Sequence, residues 1–429
     1  MERKQSIVIL GAGFGGLRTA IAIAKKIKKL HLQKKYDVIL LDKNSYHTYT
    51  PTLYEAATTS KTTANYPELQ EIVAIPIGNL IRKYKINFIR AAITTLDLIG
   101  GDIHYDNGRL KYDYLILAIG SEVNYFDIPG LKENSLSLKT FIDALAIRNR
   151  ILNYISDGKK DLKIVIGGGG STGVELAGEI QGWLRELRTE TKNSCDVKTT
   201  IIEAAPNILP GFEEKIIESA SIRLKKIGVN TSFNEVIDSI KPNKILLKSG
   251  REIHYDIFIW TGGVKASSLM QTLPLKREEK RKQIVTVPGM ECLPATPDLK
   301  LYGKIYALGD AICFYDPITE KTIPKVARAA LVQADVVANN IIEDIKAREE
   351  ITSKTKHRIY QPITYPYVIP IGGKYAIAKL GSIIISGFWG WIFKILVELN
   401  YLLSITNPWQ AVKLWSKGLR IFIKNDRLG

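Results

Sequence analysis

Apolar runs and amphipathic stretches alternate along most of the chain. Short runs such as SIVIL and YDVILL have the length and composition of buried strands, and longer stretches with helical periodicity follow them. Strands that alternate with helices predict βαβ units, whose strands form a parallel sheet covered by helices. We therefore expect an α/β fold.

Glycine-rich turns interrupt this pattern at residues 11–16 and 168–173. Each turn follows a strand-like run and opens a helix-compatible stretch, so a Rossmann-like dinucleotide-binding unit occurs twice. We expect three parts: a first dinucleotide-binding domain formed by residues 1–124 and 281–345, a second one inserted in it at residues 125–280, and a C-terminal region at residues 346–429.

The first glycine turn reads Gly11-x-Gly13-x-x-Gly16. The first glycine permits the tight turn, the second lets a pyrophosphate approach the backbone, and the third lets the helix pack on the strand. Asp42 ends the next apolar run, where it can accept hydrogen bonds from a ribose. These features predict a bound dinucleotide.

Two later strand ends indicate which dinucleotide is bound. YDYLILAIGS ends with Ala118-x-Gly120, and KIYALGDAICF runs into Gly309-Asp310, whose carboxylate can accept a hydrogen bond from a ribityl hydroxyl. This ordered set resembles the two-dinucleotide-binding-domain flavoproteins, whose first domain binds FAD. The resemblance implies FAD contacts from Gly11, Gly13, Phe14, Gly15, Gly16, Asp42, Lys43, Ala118, Gly120, Gly309, Asp310 and Ala327.

The second glycine turn, Gly168-x-Gly170-x-x-Gly173, is followed by Glu203 at the end of the next strand-like run. A carboxylate there accepts hydrogen bonds from both ribose hydroxyls and repels a 2′-phosphate, so the second ligand is predicted to be NADH. The predicted NADH-binding residues are Gly168, Gly170, Thr172, Gly173, Glu175, Glu203 and Gly262.

Glu175 has two interpretations. A carboxylate near a helix N-terminus can simply favour the helix dipole. In the flavoproteins that the chain resembles, the equivalent residue lies near nicotinamide and flavin and is linked to hydride or proton transfer. Both interpretations stay open, and Glu175 is our first catalytic candidate.

The segment LLDKNSYHTYTPTLYEAAT narrows the resemblance to type II NADH dehydrogenases. The matching residues are Asp42, Asn44, His47, Tyr49, Pro51, Leu53 and Tyr54. Together with GGGGSTGVELAGE, WTGGVKA and the Gly-Asp turn, the resemblance extends from about residue 5 to residue 429. It implies hydride transfer from NADH to FAD and then two-electron reduction of a membrane quinone, without proton pumping. His47 is predicted to organise backbone rather than to act as a base.

One helix departs from the family pattern. Where the family has Ala-Gln-x-Ala-x-Gln-Gln, Arg328 replaces the first Gln, Val332 replaces the second, and Gln333 retains the third. Gln both donates and accepts hydrogen bonds, whereas Arg only donates. We predict that Arg328 and Gln333 act on the quinone, Arg328 by polarising a carbonyl. A different acceptor is the open alternative.

The cysteines separate the rival functions. Cys195, Cys292 and Cys313 are far apart and not in CxxC spacing, which argues against a disulfide framework, a zinc site or a disulfide reductase and suits a reducing compartment. A sulfide:quinone oxidoreductase would use Cys292 and Cys313, although Cys313 has the features of a small buried hydrophobe. A membrane-attached flavoprotein that senses NADH is the second rival.

The chain carries 60 Lys and Arg against 43 Asp and Glu, a formal net charge of +17, which favours an anionic partner. Zinc patterns, recognition-helix motifs and RNA-binding aromatic signatures are absent from the sequence, so nucleic acid is not the predicted partner. The N-terminus enters a strand-like run without a signal-peptide pattern, so we expect no secretion.

The tail predicts two amphipathic helices separated at Asn407-Pro408. In the second helix, a rotation of 100° per residue places Lys413, Lys417, Arg420 and Lys424 on one face, and Ala411, Trp415 and Phe422 on the opposite face. The longest charge-free apolar stretch, 381–393, is shorter than the roughly 20 residues that a spanning helix needs. Aromatic and basic residues on opposite faces suit helices that lie on a lipid surface, so we expect the C-terminal helices to attach a peripheral protein to the cytoplasmic face of the membrane. The resemblance implies a homodimer. The alternative is a pair of helices that pack in the core or form a dimer.

Overall fold

The computed structural model describes residues 3–157, 161–191, 196–279, 282–316, 320, 322, 323, 325–363 and 365–425. Within those residues the strands, β1 to β25 in order, are Gln5–Leu10, Tyr36–Asp42, Tyr46–Thr48, Ala74–Pro76, Asn87–Arg90, Ile93–Asp97, Asp102–Tyr105, Gly108–Lys111, Tyr114–Leu117, Ser121–Val123, Leu136–Ser137, Asp161–Gly167, Asp196–Ile202, Asn230–Ser232, Ile237–Lys241, Lys244–Leu247, Glu252–His254, Ile257–Trp260, Val264–Ala266, Ile284–Val285, Lys304–Ala307, Ile312–Cys313, Tyr367–Pro370, Ala376–Leu380 and Ile383–Gly387. The α-helices over the same residues, α1 to α12, are Phe14–Lys29, Leu53–Thr58, Tyr66–Val73, Ile77–Ile81, Leu131–Asn134, Phe141–Ser156, Ser171–Thr191, Glu214–Ile227, Ser268–Gln271, Ala327–Arg348, Phe388–Ile405 and Pro408–Asn425.

A parallel five-stranded sheet in the order β21-β9-β1-β2-β5 forms the centre of the first lobe. Residues Ile7 to Leu10 of β1 have no exposed surface, as expected of a strand whose two faces are both covered. The helices α1 and α10 pack on each other beside this sheet. They are joined by the ion pair between Arg18 Nε and Asp335 Oδ1 at 2.9 Å.

The second lobe has a parallel sheet in the order β11-β18-β12-β13-β14. All of its strands lie in sequence between β9 and β21, which are neighbours in the first sheet. The predicted α/β fold, with one Rossmann-like unit inserted in another, is therefore confirmed. The predicted boundary at 280/281 lies outside the described residues, and the other domain boundaries stay predictions.

The C-terminal region contains more than helices. An antiparallel sheet, β23-β24-β25, precedes α11 and was not expected from the sequence. The predicted break at Asn407-Pro408 separates α11 from α12. By length and composition α11 is able to cross a membrane, but part of its surface is buried against the rest of the protein.

The expected apolar face of α12 is used differently from our prediction. Ala411 and Phe422 are buried in the protein cores, and Trp415 Nε1 donates a hydrogen bond to the carbonyl oxygen of Ile395 at 2.9 Å. The packing alternative therefore holds for this face. Of the two C-terminal helices, α11 has more exposed large apolar side chains, among them Trp389, which is 70% exposed, and on α12 Trp409 is 81% exposed.

Candidate active site

The first glycine turn is shaped by contacts that exclude side chains. Gly11 has φ of +98°, and a Cβ atom there would lie 2.4 Å from the Ala118 carbonyl oxygen. A Cβ on Gly16 would lie 1.9 Å from the carbonyl oxygen of Gly11, and one on Gly15 would lie 2.1 Å from Leu308 Cδ1. A Cβ on Gly13 would meet nothing within 4 Å. The turn is thus closed on the protein side and open at Gly13, as a dinucleotide requires.

Asp42 braces this turn. Its carboxylate accepts hydrogen bonds from Ala12 N at 2.7 Å and from Asn44 N at 2.8 Å. Burial raises the pKa of Asp42, and the two backbone donors oppose that shift. A carboxylate offers about four acceptor sites, so Asp42 has capacity for a ribose as well. Lys43 beside it is exposed.

The second glycine turn repeats the same construction. Gly168 has φ of +108°, and a Cβ on Gly173 would lie 2.0 Å from the Gly168 carbonyl oxygen. Glu203 accepts hydrogen bonds from Gly169 N at 2.5 Å and from Ala205 N at 2.8 Å. The turn is open at Gly170, where a Cβ would meet nothing within 4 Å.

Of two further predicted NADH-binding residues, Gly262 lies against this turn and Thr172 lies within it. A Cβ on Gly168 would lie 2.7 Å from the Cα of Gly262, so the predicted WTGG segment lies directly against it. Thr172 is in the first turn of α7 and is half-buried.

The Gly-Asp turn is held from several sides. Ser121 Oγ donates to Asp310 Oδ2 at 2.8 Å, and Lys139 Nζ lies 3.6 Å from the same oxygen. The carbonyl oxygen of Asp310 accepts hydrogen bonds from Gln283 Nε2 at 2.9 Å and Lys325 Nζ at 3.1 Å. Lys139 was not predicted as a site residue, because no local motif marks it.

The helix α10 presents its predicted residues unequally to this turn. Gln333 is buried, and its Oε1 accepts a hydrogen bond from Gly309 N at 2.8 Å. Arg328 is exposed and does not line the small cavity between the Gly-Asp turn and α10, whereas Lys325 and Ala330 do. The structure therefore brings Gln333, but not Arg328, to the Gly-Asp turn. Ala327 is half-buried at the start of α10, and Ala118 and Gly120 follow β9.

A buried polar cluster joins α2, α7 and α11. Lys394 of α11 forms an ion pair with the fully buried Glu55 and lies 3.6 Å from Glu398. Its ammonium group is 5.7 Å from the centre of the Tyr54 ring. The Tyr54 hydroxyl is buried and has no hydrogen-bond partner among the residues that the structure describes.

Glu175 belongs to the same environment. Burial raises its pKa to about 8, and the positive charge of Lys394 opposes this shift. Neither Lys394 nor Glu55 was predicted as a functional residue. The available signal was a Lys and a Glu at i and i+4, positions 394 and 398, inside an otherwise apolar helix.

The two candidate sulfide-reactive cysteines, Cys292 and Cys313, are both buried. Burial also raises the pKa of the Cys292 thiol, which disfavours the thiolate. For Cys313 this burial agrees with the predicted packing role.

Comparisons with known proteins place these features in a family. The family model described as pyridine nucleotide-disulphide oxidoreductase matches residues 5–334. The type II NADH:quinone oxidoreductase of Staphylococcus aureus is 29% identical over 351 residues, which cover 79% of this chain and 82% of that protein.

Two of the solved structures that are similar to this chain illustrate the shared fold. The structure of NDH2 from Plasmodium falciparum in complex with NADH has a TM-score of 0.82 at 20% identity, covering 100% of this chain and 99% of that one. The sulfide:quinone oxidoreductase of Aquifex aeolicus has a TM-score of 0.74 at 20% identity, covering 98% and 96%. These comparisons confirm the predicted resemblance, and the chain belongs to the pyridine nucleotide-disulphide oxidoreductase family.

Proposed function

We propose that this protein is a type II NADH:quinone oxidoreductase, which oxidises NADH through FAD and reduces a membrane quinone without pumping protons. The observation that carries the proposal is the duplicated glycine turn, each copy braced by a carboxylate and open at its second glycine. Two dinucleotides, rather than one, suit this arrangement. The name and 29% identity of the Staphylococcus aureus relative support the same function.

The residues of the first lobe fit FAD. The open side of Gly13 and the N-terminus of α1 suit a pyrophosphate. Asp310, oriented by Ser121 and Lys139, suits a ribityl hydroxyl. Bound there, FAD would supply the chemistry that couples hydride transfer from NADH to reduction of a quinone by two electrons and two protons. Gln333 positions this site by holding the backbone of Gly309.

The residues of the second lobe fit NADH. Gly170 and the N-terminus of α7 suit its pyrophosphate, and Glu203 suits the hydroxyls of the adenosine ribose. The Glu203 carboxylate is fixed by two backbone N–H groups, so a 2′-phosphate would meet a negative charge that cannot turn away. The donor is therefore NADH rather than NADPH.

Glu175 is our candidate for the proton donor to quinone. With a pKa of about 8, it is mostly protonated at neutral pH and loses its proton at modest cost. Lys394 lies close enough to influence this pKa and stabilises the carboxylate that remains. Arg328 is exposed, and we keep its proposed role, which is to polarise a carbonyl group of a quinone that binds beside α10.

We assign the outer face of α11 to the lipid that dissolves the quinone. Its exposed side chains are Phe388, Trp389, Leu396, Val397 and Leu403. The inner face carries the buried Lys394–Glu55 ion pair, which favours a helix lying on the membrane over one crossing it. Since NADH is cytoplasmic, the cytoplasmic face is the proposed location. A homodimer is proposed too, and light scattering of the purified protein should give the mass of two chains.

Anaerobic stopped-flow absorbance at flavin wavelengths tests the function. Mixing with NADH should bleach the flavin quickly, and a short-chain quinone should then restore its absorbance. Bleaching without recovery would reject the quinone step in favour of an NADH sensor or another acceptor. Absence of bleaching would reject NADH as the electron donor and favour oxidation of sulfide through Cys292 and Cys313.

A further inference from the structure

A chain of three hydrogen bonds links the glycine turn of the first lobe to the last part of the protein. Ala12, between Gly11 and Gly13, donates its N–H to Asp42 at 2.7 Å. Its carbonyl oxygen lies 2.9 Å from His47 Nδ1, and the other ring nitrogen, Nε2, lies 2.6 Å from the hydroxyl of Tyr401 on α11. Both polar atoms of Ala12 are thus held in place, one of them through Tyr401.

The chemistry of these groups determines where the protons are. A carbonyl oxygen only accepts, so His47 must carry its proton on Nδ1 to bond Ala12. Burial lowers the pKa of His47 to about 4, so the ring is neutral and Nε2 keeps a lone pair. Nε2 therefore accepts, and the Tyr401 hydroxyl donates. Without that donor, Nε2 would become a buried acceptor with no partner, and the ring that holds the Ala12 carbonyl would be fixed by a single hydrogen bond.

Packing fixes the same geometry. The ring of Tyr401 is stacked on Tyr49 with centroids 5.1 Å apart, and its centroid lies 4.6 Å from that of Phe14, the first residue of α1. One turn along α1, Arg18 Nη1 donates to the carbonyl oxygen of Ser404 at 2.8 Å. The helix α11 is therefore attached to the first turns of α1 at two points.

We propose that Tyr401 is a positioning residue for FAD. Its hydroxyl holds Nε2 of the His47 ring, whose Nδ1 fixes the Ala12 carbonyl, so the helix assigned to lipid on one face also supports the flavin-binding turn on the other. The inference rests on the proposed FAD site and extends it to α11. It requires no particular electron acceptor.

The test compares FAD binding by Tyr401→Phe and by the wild-type full-length protein. The substitution keeps the stacked ring and removes only the donor. Since one hydrogen bond changes an equilibrium by a modest factor, we expect the FAD dissociation constant to rise about three- to tenfold, with faster flavin release on dilution. Tyr255→Phe is the matched control, because that hydroxyl bonds the carbonyl oxygen of Lys241 at 3.0 Å in the second lobe. Unchanged FAD affinity in Tyr401→Phe, or an equal loss in both variants, would overturn the proposal.

A second readout needs no variant. Nitrogen-15 spectra of labelled histidines distinguish the two neutral tautomers, and the chain has 5 histidines to assign. Wild-type His47 should be protonated on Nδ1, and where Tyr401→Phe folds, its Nε2 resonance should shift because that nitrogen has lost its hydrogen-bond donor. A wild-type ring protonated on Nε2 would exclude the mechanism even if Tyr401→Phe fails to fold. Failure of quinone reduction would refute the proposed function but would change neither the FAD affinities nor the nitrogen-15 spectra of His47.

Discussion

The carboxyl group of Glu175 illustrates how the surroundings of one side chain suit it to the role that we propose for it. In water a glutamate ionises near pH 4.5, but burial in the cluster between α2, α7 and α11 raises its pKa to about 8. Burial disfavours the charged carboxylate, so Glu175 still holds its proton at neutral pH.

This pKa predicts a pH profile for quinone reduction. Because the protonated form is the proposed donor, the quinone-driven recovery of flavin absorbance should slow as pH rises through about 8. Glu175→Gln should be slow throughout and show no inflection. Lys394→Met should move the inflection to higher pH, because Lys394 lowers the pKa.

The control for this profile is Glu252→Gln, at an exposed position of the second lobe, which should keep the inflection. An inflection that survives in Glu175→Gln would contradict the assignment.

The pH dependence of stability gives an independent check of the Glu175 pKa. The unfolded carboxyl ionises near 4.5, so folding takes up a proton between pH 4.5 and about 8 and stability falls as pH rises across that window. Glu175→Gln should remove this contribution to the slope.

Whether a residue was predictable depended on how far along the chain its partner lies. Asp42 and Glu203 were predicted because each stands at the end of the strand after a glycine turn, about 30 residues from the backbone that it holds. Lys394 meets Glu55 across a separation of 339 residues. No local sequence pattern indicates a contact between residues so far apart, so Glu175 was the one residue of this cluster predicted to be catalytic.

At the scale of elements, the two glycine turns are the best-predicted parts of the molecule. Their conformations follow from steric contacts within a few residues of sequence, such as the one between Gly16 and Gly11. The antiparallel sheet of β23, β24 and β25 was missed, because its short strands lie next to long apolar helices. For α12, helical periodicity identified the apolar face correctly but not what covers it.

The duplicated turns allow a matched pair of substitutions. Gly13→Ala and Gly170→Ala each add a methyl group where nothing lies within 4 Å, so unfolding free energies should change by less than about 0.5 kcal/mol. Each methyl group should obstruct its own pyrophosphate and weaken binding about tenfold or more. Both ligands should be titrated on both variants. Gly13→Ala should bind FAD more weakly, whereas Gly170→Ala should bind NADH more weakly and keep its flavin.

Gly78→Ala, at an exposed position of α4 with the same free space, is the control and should bind both ligands normally. If Gly170→Ala released flavin, or if Gly13→Ala bound FAD normally, the assignment of ligands to lobes would be wrong.

At the scale of the whole molecule, the C-terminal helices belong to both lobes. Tyr401 and Ala411 are part of the first lobe's core, and Phe422 is part of a core shared by α2, α3 and the second sheet. The insertion of one lobe in the other was predictable from the order of the motifs. The integration of the tail was not, because its contacts are non-local.

The exposed apolar face of α11 predicts membrane attachment. Replacing Trp389 and Leu396 together by Ser should reduce sedimentation with anionic vesicles about tenfold or more, because both side chains lose buried apolar area at the lipid surface. Activity with a water-soluble quinone should persist. Added salt should weaken vesicle binding further, since Lys413, Arg420 and Lys424 are exposed on α12.

Ile222→Ser is the matched control, because Ile222 is 63% exposed on α8, away from the C-terminal helices in sequence. Equal vesicle binding by the double variant and the wild type would rule out this face as the lipid contact. The face would then be a candidate for the dimer interface.

The hydrogen bond between Tyr401 and His47 spans 354 residues of sequence, and this separation has a consequence for biosynthesis. Because translation runs from the N-terminus to the C-terminus, a ribosome makes His47 long before it makes Tyr401. A nascent or truncated chain therefore lacks the contact that fixes Ala12, and contacts so distant form late because closing the intervening loop costs entropy. If Tyr401 has the proposed role, tight binding of FAD follows synthesis and docking of α11, and a chain that ends before α11 binds FAD more weakly.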